Sequence, residues 1–364
     1  MNSVDTIEIQ NFRNHKHLHI KFKKGINVIW GENGSGKTAI LEAIYTLSMG
    51  RSFRTRLHKE TLKEGSDSLS IEGTFTNKKQ QHKIVLNQLL NGQRKFLIDR
   101  YQHISVKELV GKNPIVILSP EEQVITKGYP ADRRSYFDKI LSIVSMEYLN
   151  TLLGYQRILK QRNAAIRTLK QGRTNKDTVL AWNEPLIRTG KKLWKNRIEL
   201  MEVFIDEVKK AAKKYDATSV ELLLHYHPEG KRENFKNRLE NSLNSDLNKG
   251  WTTTGPHRDN YTFLLNSRPL REFGSQGEHK IALVLIKMAE ISMINKIMGS
   301  NPVLMLDDLF AKLDFKRADK VLSLLSGRGQ TIITTTDIVD FEKHGLDLKS
   351  PDNSTYYLER QCKR

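Results

Sequence analysis

The chain of 364 residues is long enough for one large domain or for two to three lobes, and 38% hydrophobic against 28% charged residues predicts a soluble globular protein. The chain has no stretch of about 18 uncharged apolar residues that could span a membrane. Asp5 and Glu8 argue against a secretory signal. The single cysteine, Cys362, excludes an internal disulfide or a cysteine zinc site. A cytoplasmic protein is therefore expected, and its net charge of +19 favours a polyanionic partner, chiefly nucleic acid, unless the excess is only a solvated surface.

The first 120 residues alternate between strands and one helix. Residues 6–10 and 17–22 alternate apolar and polar side chains, and GINVIW at 25–30 is a short apolar run typical of a buried strand. Apolar residues at helical spacing predict a helix at 38–47. An antiparallel meander is predicted at 69–99, and a further strand at 114–119.

Residues 131–214 change to helical periodicity. Two apolar stripes, separated by QGRTNKDT at 171–178, predict a helical hairpin. Its longer arm of about 35 residues would be about 50 Å long at 1.5 Å per residue. The stretch 151–214 has 16 Lys or Arg against 6 Asp or Glu, so it holds +10 of the net charge. This charge indicates either a surface that faces nucleic acid or the polar outer face of an amphipathic helix pair.

Beyond residue 250 the α/β pattern returns, so predicted sheet residues lie at both ends of the chain. Strands are predicted at 259–265, 302–307 and 331–335, and helices at 276–297 and 315–325. We therefore predict one α/β lobe made of 1–120 and 250–364, and a mainly helical second lobe at 121–249 that contains the hairpin.

A phosphate-binding loop follows the third predicted strand. GENGSGKT fits the pattern G-x-x-x-x-G-K-[ST], in which glycines let successive N–H groups face a phosphate and the next helix points its positive end there. Lys37 would reach the β and γ phosphates of ATP, and Thr38 would offer its hydroxyl to Mg²⁺. The predicted ATP-binding residues are Gly31, Glu32, Asn33, Gly34, Ser35, Gly36, Lys37 and Thr38.

Two acidic residues end the apolar run VLMLDD at 303–308. A carboxylate at the carboxyl end of a parallel strand lies at the edge where such sheets bind ligands. Asp307 is predicted to complete the Mg²⁺ shell, and Asp308 to act as the catalytic residue that orients or deprotonates the attacking water. Acidic pairs also start ordinary turns, so this interpretation depends on the phosphate-binding loop.

The segment SQGE at 275–278 opens the helix before this acidic strand. Ser275 fits an N-cap, and Gly277 permits close approach of a ligand. A serine at a helix start is usually only a cap. Its position, however, is that of the signature helix of ABC-type ATPases, which lies just before the acidic strand.

Seven sequence blocks together resemble one family. They are IEIQNFRNH near the start, GENGSGKT followed by ILEAIYTLSMGRSFRT, SPEEQVITKGYPADRRSYFD at 119–138, TGPHRDNYTF at 254–263, SQGEHKIALVLIKMAE at 275–290, VLMLDDLFAKLD at 303–314 and ITTT at 333–336. Over nearly its whole length, and in the family's order, the chain resembles the RecF family of small bacterial relatives of the SMC and Rad50 ATPases.

The resemblance implies a fold and an assembly. The fold would be α/β: an ABC-type ATPase head with a mixed sheet around the phosphate-binding loop, and a second, helical lobe. Two chains would sandwich two ATP molecules, and the γ-phosphate held by one chain would be contacted in trans by Ser275, Gln276, Gly277 and Glu278 of the other. Leu313 and Asp314 would correspond to the D-loop at the dimer seam.

The resemblance also implies a function. The chain would be a DNA-binding, ATP-dependent recombination-repair protein with weak, DNA-stimulated ATPase activity. ATP-driven homodimerisation would clamp DNA at gaps or junctions of single and double strands. With RecO and RecR it would help to load RecA, in support of replication, repair and the SOS response at the nucleoid.

Two positions depart from the family pattern. Lys312 occupies the place where the family typically carries Glu before Leu-Asp, and Tyr129 replaces a small residue between Gly and Pro. They leave the electrostatics of the D-loop and the shape of the loop near 129 open.

Three other functions fit the sequence less well. A transporter ATPase subunit would carry a switch histidine near Thr335 and Thr336, which this chain lacks. A chromosome-organising SMC-like ATPase needs coiled coils of hundreds of residues. A phosphotransferase would leave SQGE without a role.

Two basic surfaces are candidates for DNA contact. The first lies on the hairpin and consists of Arg157, Lys160, Arg162 and Arg167. The second follows the helix of the phosphate-binding loop, nearer the predicted dimer seam, and consists of Arg51 and Arg54.

Overall fold

A computed structural model describes residues 2–77, 80–216, 220–308, 329–337 and 350–359. Its strands are β1 Ser3–Phe12, β2 His15–Lys21, β3 Ile26–Trp30, β4 Ser68–Asn77, β5 Gln80–Leu89, β6 Arg94–Ile98, β7 Gln102–His103, β8 Ile115–Leu118, β9 Leu222–His227, β10 Asn260–Leu265, β11 Arg268–Pro269, β12 Val303–Asp307, β13 Thr331–Thr335 and β14 Ser354–Tyr357. Its α-helices are α1 Lys37–Met49, α2 Val106–Leu109, α3 Val124–Lys127, α4 Pro130–Val144, α5 Met146–Lys170, α6 Lys176–Leu180, α7 Asn183–Tyr215, α8 Phe235–Asn241, α9 Leu243–Lys249, α10 Leu270–Phe273 and α11 Gln276–Met298. The predicted helix at 315–325 and the predictions for Lys312, Leu313, Asp314 and Cys362 fall outside the described residues.

The chain forms two compact units. The first comprises Met1–Gln123 with Ile286–Arg364, and the second comprises Val124–Leu285. The boundary between Leu285 and Ile286 falls within α11. The lobes predicted from the sequence, with boundaries at 120 and 250, remain a proposal about domain organisation.

A parallel sheet forms the centre of the first unit, in the order β14-β3-β13-β12-β8. The sequence predicted β3, β8, β12 and β13 but not β14. Strand β13 lies between β3 and β12, and its Thr334 is level with Ile29 on one side and Asp307 on the other. Since all neighbouring pairs are parallel, the segments that follow β3, β12 and β13 meet at one edge of the sheet.

Helix α1 is buried on nearly every side. It contacts β1, β4 and β5 of the antiparallel sheet β2-β1-β4-β5-β6-β7, and also β12 and β13 of the parallel sheet. A helix packed between two sheets needs apolar or small residues on all sides, and KTAILEAIYTLSM supplies them except at Lys37 and Glu42, which are buried charged residues. This packing fixes the first turn of α1 against the carboxyl edge of the parallel sheet.

The second unit packs the predicted helical hairpin against a three-stranded sheet. Helices α5 and α7 contact each other along the hairpin, and α4 and α7 contact the sheet β11-β10-β9. Aromatic rings fill the space between helix and sheet: Phe137 of α4 stacks on Tyr261 of β10 with ring centroids 4.2 Å apart. Helix α7, with 33 residues, is the longer arm that the sequence predicted.

Two buried ion pairs join the segments of this unit. Asp259, which is fully buried, accepts hydrogen bonds from Trp194 Nε1 at 2.9 Å and from Arg197 Nη1 at 2.5 Å. Arg162 of α5 is also fully buried, and its Nη1 donates to Asp246 Oδ2 at 2.7 Å. Burial makes these pairs sensitive to the loss of either partner, because a lone charge would remain in the interior.

The structure corrects the prediction that Arg162 contacts DNA. Its guanidinium has no exposed surface, and besides Asp246 it donates to Asn183 Oδ1 at 2.9 Å and to Thr252 Oγ1 at 2.7 Å. A phosphate could reach it only if α5 separated from the segments packed on it. Arg162 is therefore a residue of the core.

We expect Arg162→Ala to destabilise the second unit by about 3–5 kcal/mol, because the Asp246 carboxylate would stay buried without its partner. Urea unfolding followed by tryptophan fluorescence measures the change. Arg167→Ala is the matched control: it removes an exposed arginine from the same helix and should change the free energy of unfolding by less than about 0.5 kcal/mol. Equal effects of the two substitutions would contradict the assignment of Arg162 to the core.

Candidate nucleotide site

The loop GENGSGKT connects β3 to α1 at the carboxyl edge of the parallel sheet. Gly36 is the N-cap of α1, with φ of 103°, and no side chain caps this helix. A β-carbon at Gly36 would come within 2.4 Å of the His15 ring, so both the backbone angle and the available space require glycine. The first N–H groups of an uncapped helix remain available to an anion.

Lys37 lies across this loop. It is buried, and its Nζ donates to the carbonyl oxygens of Gly31 at 2.7 Å and Glu32 at 2.8 Å. Burial lowers the pKa of Lys37, whereas the charges of Asp308 and Asp307 act in the opposite direction. An ammonium held by neutral carbonyl groups in this position is suited to a phosphate ligand.

Thr38 and Asp307 meet although they are far apart in sequence. Thr38 Oγ1 lies 2.9 and 3.1 Å from the two carboxylate oxygens of Asp307, and Thr334 Oγ1 donates to Asp307 Oδ1 at 2.7 Å. Burial raises the pKa of Asp307, and the hydrogen bonds from Thr334 and Thr38 partly offset this effect. A hydroxyl beside a carboxylate offers the oxygen ligands that Mg²⁺ prefers, next to a loop that can hold phosphates.

Asp308 adopts a backbone conformation that is uncommon for aspartate. Its φ is 51°, and its N–H is close to both the carbonyl oxygen and Oγ1 of Thr334, at 3.2 and 3.1 Å. Non-glycine residues in this region cost free energy and occur often at functional sites. Asp308 lines the same cavity as Lys37 and Thr38.

This cavity has a volume of about 620 Å³, within the usual range for small-molecule sites of about 300–1,000 Å³. Its wall combines four basic side chains with four carboxylates. They are Arg13, Lys37, Arg54 and Lys63, and Glu60, Glu64, Asp307 and Asp308. Size and charge both fit a nucleotide that carries phosphates and a divalent cation.

The turn between β1 and β2 supports the loop, a role that the sequence analysis missed. Asn14 Nδ2 donates to the carbonyl oxygen of Ser35 at 3.0 Å, and His15 Nε2 lies 3.1 Å from that of Gly36. These residues belong to IEIQNFRNH, whose sequence indicated only a family resemblance. Contact across a sheet leaves no periodic signal in a sequence, so only the motif could have pointed to it.

Glu42 connects this turn with the basic segment after α1. The carboxylate is fully buried and accepts two hydrogen bonds from Arg13, at 2.9 and 2.5 Å, and one from Ser52 at 2.5 Å. Arg54 Nη1 lies 3.5 Å from it. Arg51 and Arg54, both predicted DNA contacts, are exposed, and Arg54 is in addition tied to the helix of the phosphate-binding loop.

The predicted signature segment lies in the second unit, at the start of α11. Ser275 and Glu278 cap each other: the backbone N–H of Ser275 donates to Glu278 Oε2 at 2.7 Å, and that of Glu278 to Ser275 Oγ at 3.3 Å. Hydrogen bonds from Ser275 lower the pKa of Glu278. Gln276 Oε1 accepts from Lys127 Nζ at 2.5 Å. Ser275 and Gln276 are exposed, as a contact with another chain would require.

The three remaining candidates on the hairpin share one side of a helix. Arg157, Lys160 and Arg167 are exposed, and their spacing of three and seven residues, about one and two turns, puts them along one side of α5. No carboxylate among the described residues forms an ion pair with them. Their charge is therefore available to an anionic partner.

Comparison with known proteins agrees with this geometry. Residues 3–347 match the family described as RecF/RecN/SMC N terminal domain. The chain is 31% identical over 344 residues to the DNA replication and repair protein RecF of Lachnoclostridium phytofermentans. The matched region covers 94% of this chain and 95% of that relative. The chain is also 34% identical over 347 residues to the RecF protein of Clostridium acetobutylicum, which covers 94% of both. The chain belongs to the RecF family.

Solved structures confirm the predicted α/β fold. A structure described as the recombination mediator protein RecF-ATP in the RecFOR pathway has a TM-score of 0.86 at 31% identity and covers 92% of both chains. The Smc head domain from Pyrococcus furiosus, with an extended coiled coil and the C-terminal domain of ScpA, has a TM-score of 0.55 at 16% identity. It covers 94% of this chain and 92% of its own, and shares the ATPase-head fold. Within the described ranges, no helix of this RecF-family chain is long and apolar enough to span a bilayer.

The raised pKa of Asp307 leads to a prediction about pH. The native state keeps this proton to a higher pH than the unfolded chain does. The stability of the ligand-free protein therefore falls as pH rises from the ordinary aspartate range through the raised pKa. Asp307→Asn removes this loss, so we expect a higher unfolding temperature at neutral pH together with weaker Mg²⁺-dependent ATP binding.

Thermal unfolding scans across this pH range, with and without Mg²⁺-ATP, measure both effects. Glu64→Gln is the matched control, because Glu64 is exposed and lines the same cavity. It should change neither the pH profile nor the binding of ATP. If Asp307→Asn unfolded at the parent temperature at every pH, the raised pKa assigned to this carboxylate would be wrong.

Proposed function

We propose that this RecF-family chain is a DNA-binding ATPase of recombination repair, in which ATP-driven dimerisation clamps DNA at gaps or junctions. One observation carries the proposal. Lys37, Thr38 and Asp307 converge beside an uncapped helix N-terminus, in a chain 31% identical to a RecF structure described with ATP. Hydrolysis is proposed to be weak and stimulated by DNA.

The loop residues Gly31 to Thr38 bind the phosphates in this proposal. The N–H groups at the start of α1 donate to phosphate oxygens, and Lys37 exchanges its two loop carbonyls for the β and γ phosphates. Thr38 and Asp307 hold Mg²⁺, which when bound neutralises charge on the phosphate oxygens. Asp308 orients the attacking water and accepts its proton.

The start of α11 contacts the γ-phosphate of a second chain. Ser275, Gln276, Gly277 and Glu278 are the proposed contacts. The Glu278 carboxylate now accepts the hydrogen bond from the Ser275 N–H, a position that an incoming phosphate would compete for. Dimerisation would thus respond to the charge of the γ-phosphate at this helix end.

DNA would be bound through its phosphates by one of two basic surfaces. The first consists of Arg157, Lys160 and Arg167 on α5, and the second of Arg51 and Arg54 after α1. Phosphate contacts carry no base information, so binding would be nearly independent of sequence. RecO, RecR and RecA are the proposed partners, since the solved RecF relative is placed in the RecFOR pathway, and the proposed location is the cytoplasm, at the nucleoid.

A chromosome-organising role is the second candidate. The fold match to an Smc head supports an ATPase head but not this role, because that structure is only 16% identical. The longest helix in the described part of the chain has 33 residues, about 50 Å at 1.5 Å per residue. The long coiled coils of chromosome organisers would need far more.

We expect a non-hydrolysable ATP analogue to convert the protein from monomer to dimer, and Ser275→Arg to prevent this by placing bulk and charge at the α11 N-terminus. Light scattering measures the molar mass. Lys37→Ala should stay monomeric because it binds ATP poorly, and Asp308→Asn should accumulate the dimer with ATP itself because hydrolysis slows. Ser68→Arg, at an exposed serine of β4, is the control. A monomer under all conditions would contradict the proposed ATP-driven dimerisation.

We expect DNA affinity to fall steeply with salt, with a log–log slope of about −0.9 per neutralised phosphate on duplex. Fluorescence anisotropy at several salt concentrations, with and without ATP, gives this slope. One variant reverses the charges of Arg157, Lys160 and Arg167, and the other combines Arg51→Glu with Arg54→Gln. Glutamine is used at position 54 because a carboxylate there would face Glu42. Binding that survived both sets together would exclude DNA as the partner of these surfaces.

A further inference from the structure

A tryptophan is exposed at the edge of the second unit. Trp251 keeps 50% of its surface exposed, whereas Trp194 in the same unit is almost completely buried. Large aromatic side chains at a protein surface often mark contacts with a partner. The proposed function gives no role to Trp251 itself.

The backbone around Trp251 is held on both sides. Gly250 ends α9 with φ of 81°, and the Trp251 N–H donates to the carbonyl oxygen of Asp246 at 3.2 Å. The next residue, Thr252, donates from its N–H and its hydroxyl to Asn163 Oδ1 of α5, at 2.8 and 2.7 Å. The exposed indole therefore projects from a segment whose position is determined by the core.

This segment runs along the basic face of α5. Lys170 Nζ donates to the carbonyl oxygen of Asn248 at 2.9 Å, and Asn163 holds Thr252. Asn163 and Lys170 are seven residues apart, so they lie two turns apart on one side of the helix. Arg167 lies between them on that side, and Trp251 is next to the same face.

The two segments next to the indole, α5 from Tyr148 onward and residues 247–258, contain no acidic residue. Helix α5 has five basic residues and no acidic one between Tyr148 and Lys170. Residues 247–258 contain Lys249 and Arg258 and no Asp or Glu. Asp246, the nearest acidic residue, is buried in its ion pair with Arg162. The exposed charged residues of these two segments are therefore all cationic.

We propose that Trp251, with Lys160, Arg167 and Lys249, forms a binding surface for single-stranded DNA. The indole stacks on one unpaired base while the three cations contact phosphates on either side of it. A base in a duplex already stacks on both faces, so the indole adds nothing to duplex binding. This inference rests on the proposed DNA-binding function, and it assigns single-stranded DNA to the α5 surface.

The buried pair Arg162–Asp246 has a positioning role in this proposal. Arg162 donates to Thr252 as well as to Asp246, and Asp246 Oδ1 accepts from the N–H of Thr253 at 2.8 Å. The pair thus holds the segment that carries the indole, and it neutralises the carboxylate nearest to the indole in sequence.

The test compares three labelled probes in the full-length protein: an oligo-dT strand, an abasic strand of the same length and charge, and a blunt duplex. Trp251→Ala should weaken binding of oligo-dT about 5- to 150-fold, as expected for the loss of one stacked base at about 1–3 kcal/mol. Binding of the abasic strand and the duplex should stay within about two-fold. Trp251→Phe should lie in between, since a phenyl ring still stacks.

Two controls separate stacking from charge and from folding. Tyr101→Ala removes a residue that is 89% exposed in the first unit and should alter no affinity. Lys160→Ala should reduce the salt slope on oligo-dT by about 0.7, whereas Trp251→Ala should leave it unchanged. Unchanged circular dichroism and ATP affinity establish that each variant is folded.

Unchanged oligo-dT affinity in Trp251→Ala, or an equal loss on all three probes, would overturn the stacking surface. A parent protein that binds none of the probes would instead overturn the proposed DNA-binding function. The two failures are therefore distinguishable in one experiment.

Discussion

The hydrogen bond between Thr38 and Asp307 depends on the register of three parallel strands, and the candidate nucleotide site depends on that hydrogen bond. Strand β13 pairs with both β3 and β12, and its Thr334 is in register with Ile29 on one side and with Asp307 on the other. A slip of one residue would turn the Asp307 side chain to the opposite face of the sheet. Two groups separated by 269 positions in sequence thus share one site only in this alignment.

Most elements near the site could be predicted because their signals are local. The run GINVIW, the glycines of the loop and the spacing of apolar residues in α1 each report the structure of their own segment. Pairing between distant segments leaves no such signal. Arg162 has the same sequence surroundings as its exposed neighbours, and its burial depends on Asp246, 84 positions away. For the same reason, the support of the loop by Asn14 and His15 appeared only in the structure.

The buried carboxylate of Glu42 joins features that the sequence presents as separate. It receives Arg13 from the β1–β2 turn, Ser52 from the segment after α1, and lies near Arg54 of the nucleotide cavity. Arg13 and Arg54, which both line the cavity, are thus held by one carboxylate. The candidate nucleotide site and the proposed DNA surface at Arg51 and Arg54 therefore share the contacts of Glu42.

The strand order also bears on how the protein is made. Strand β3 pairs with β13 and β14, which come from residues 331–335 and 354–357. While the ribosome is still adding these residues, both edges of β3 lack their partners, and an apolar strand with open edges is prone to aggregate. The phosphate-binding loop is therefore synthesised well before the strands that complete its scaffold. Premature termination close to the C-terminus would therefore remove the nucleotide site from the other end of the chain.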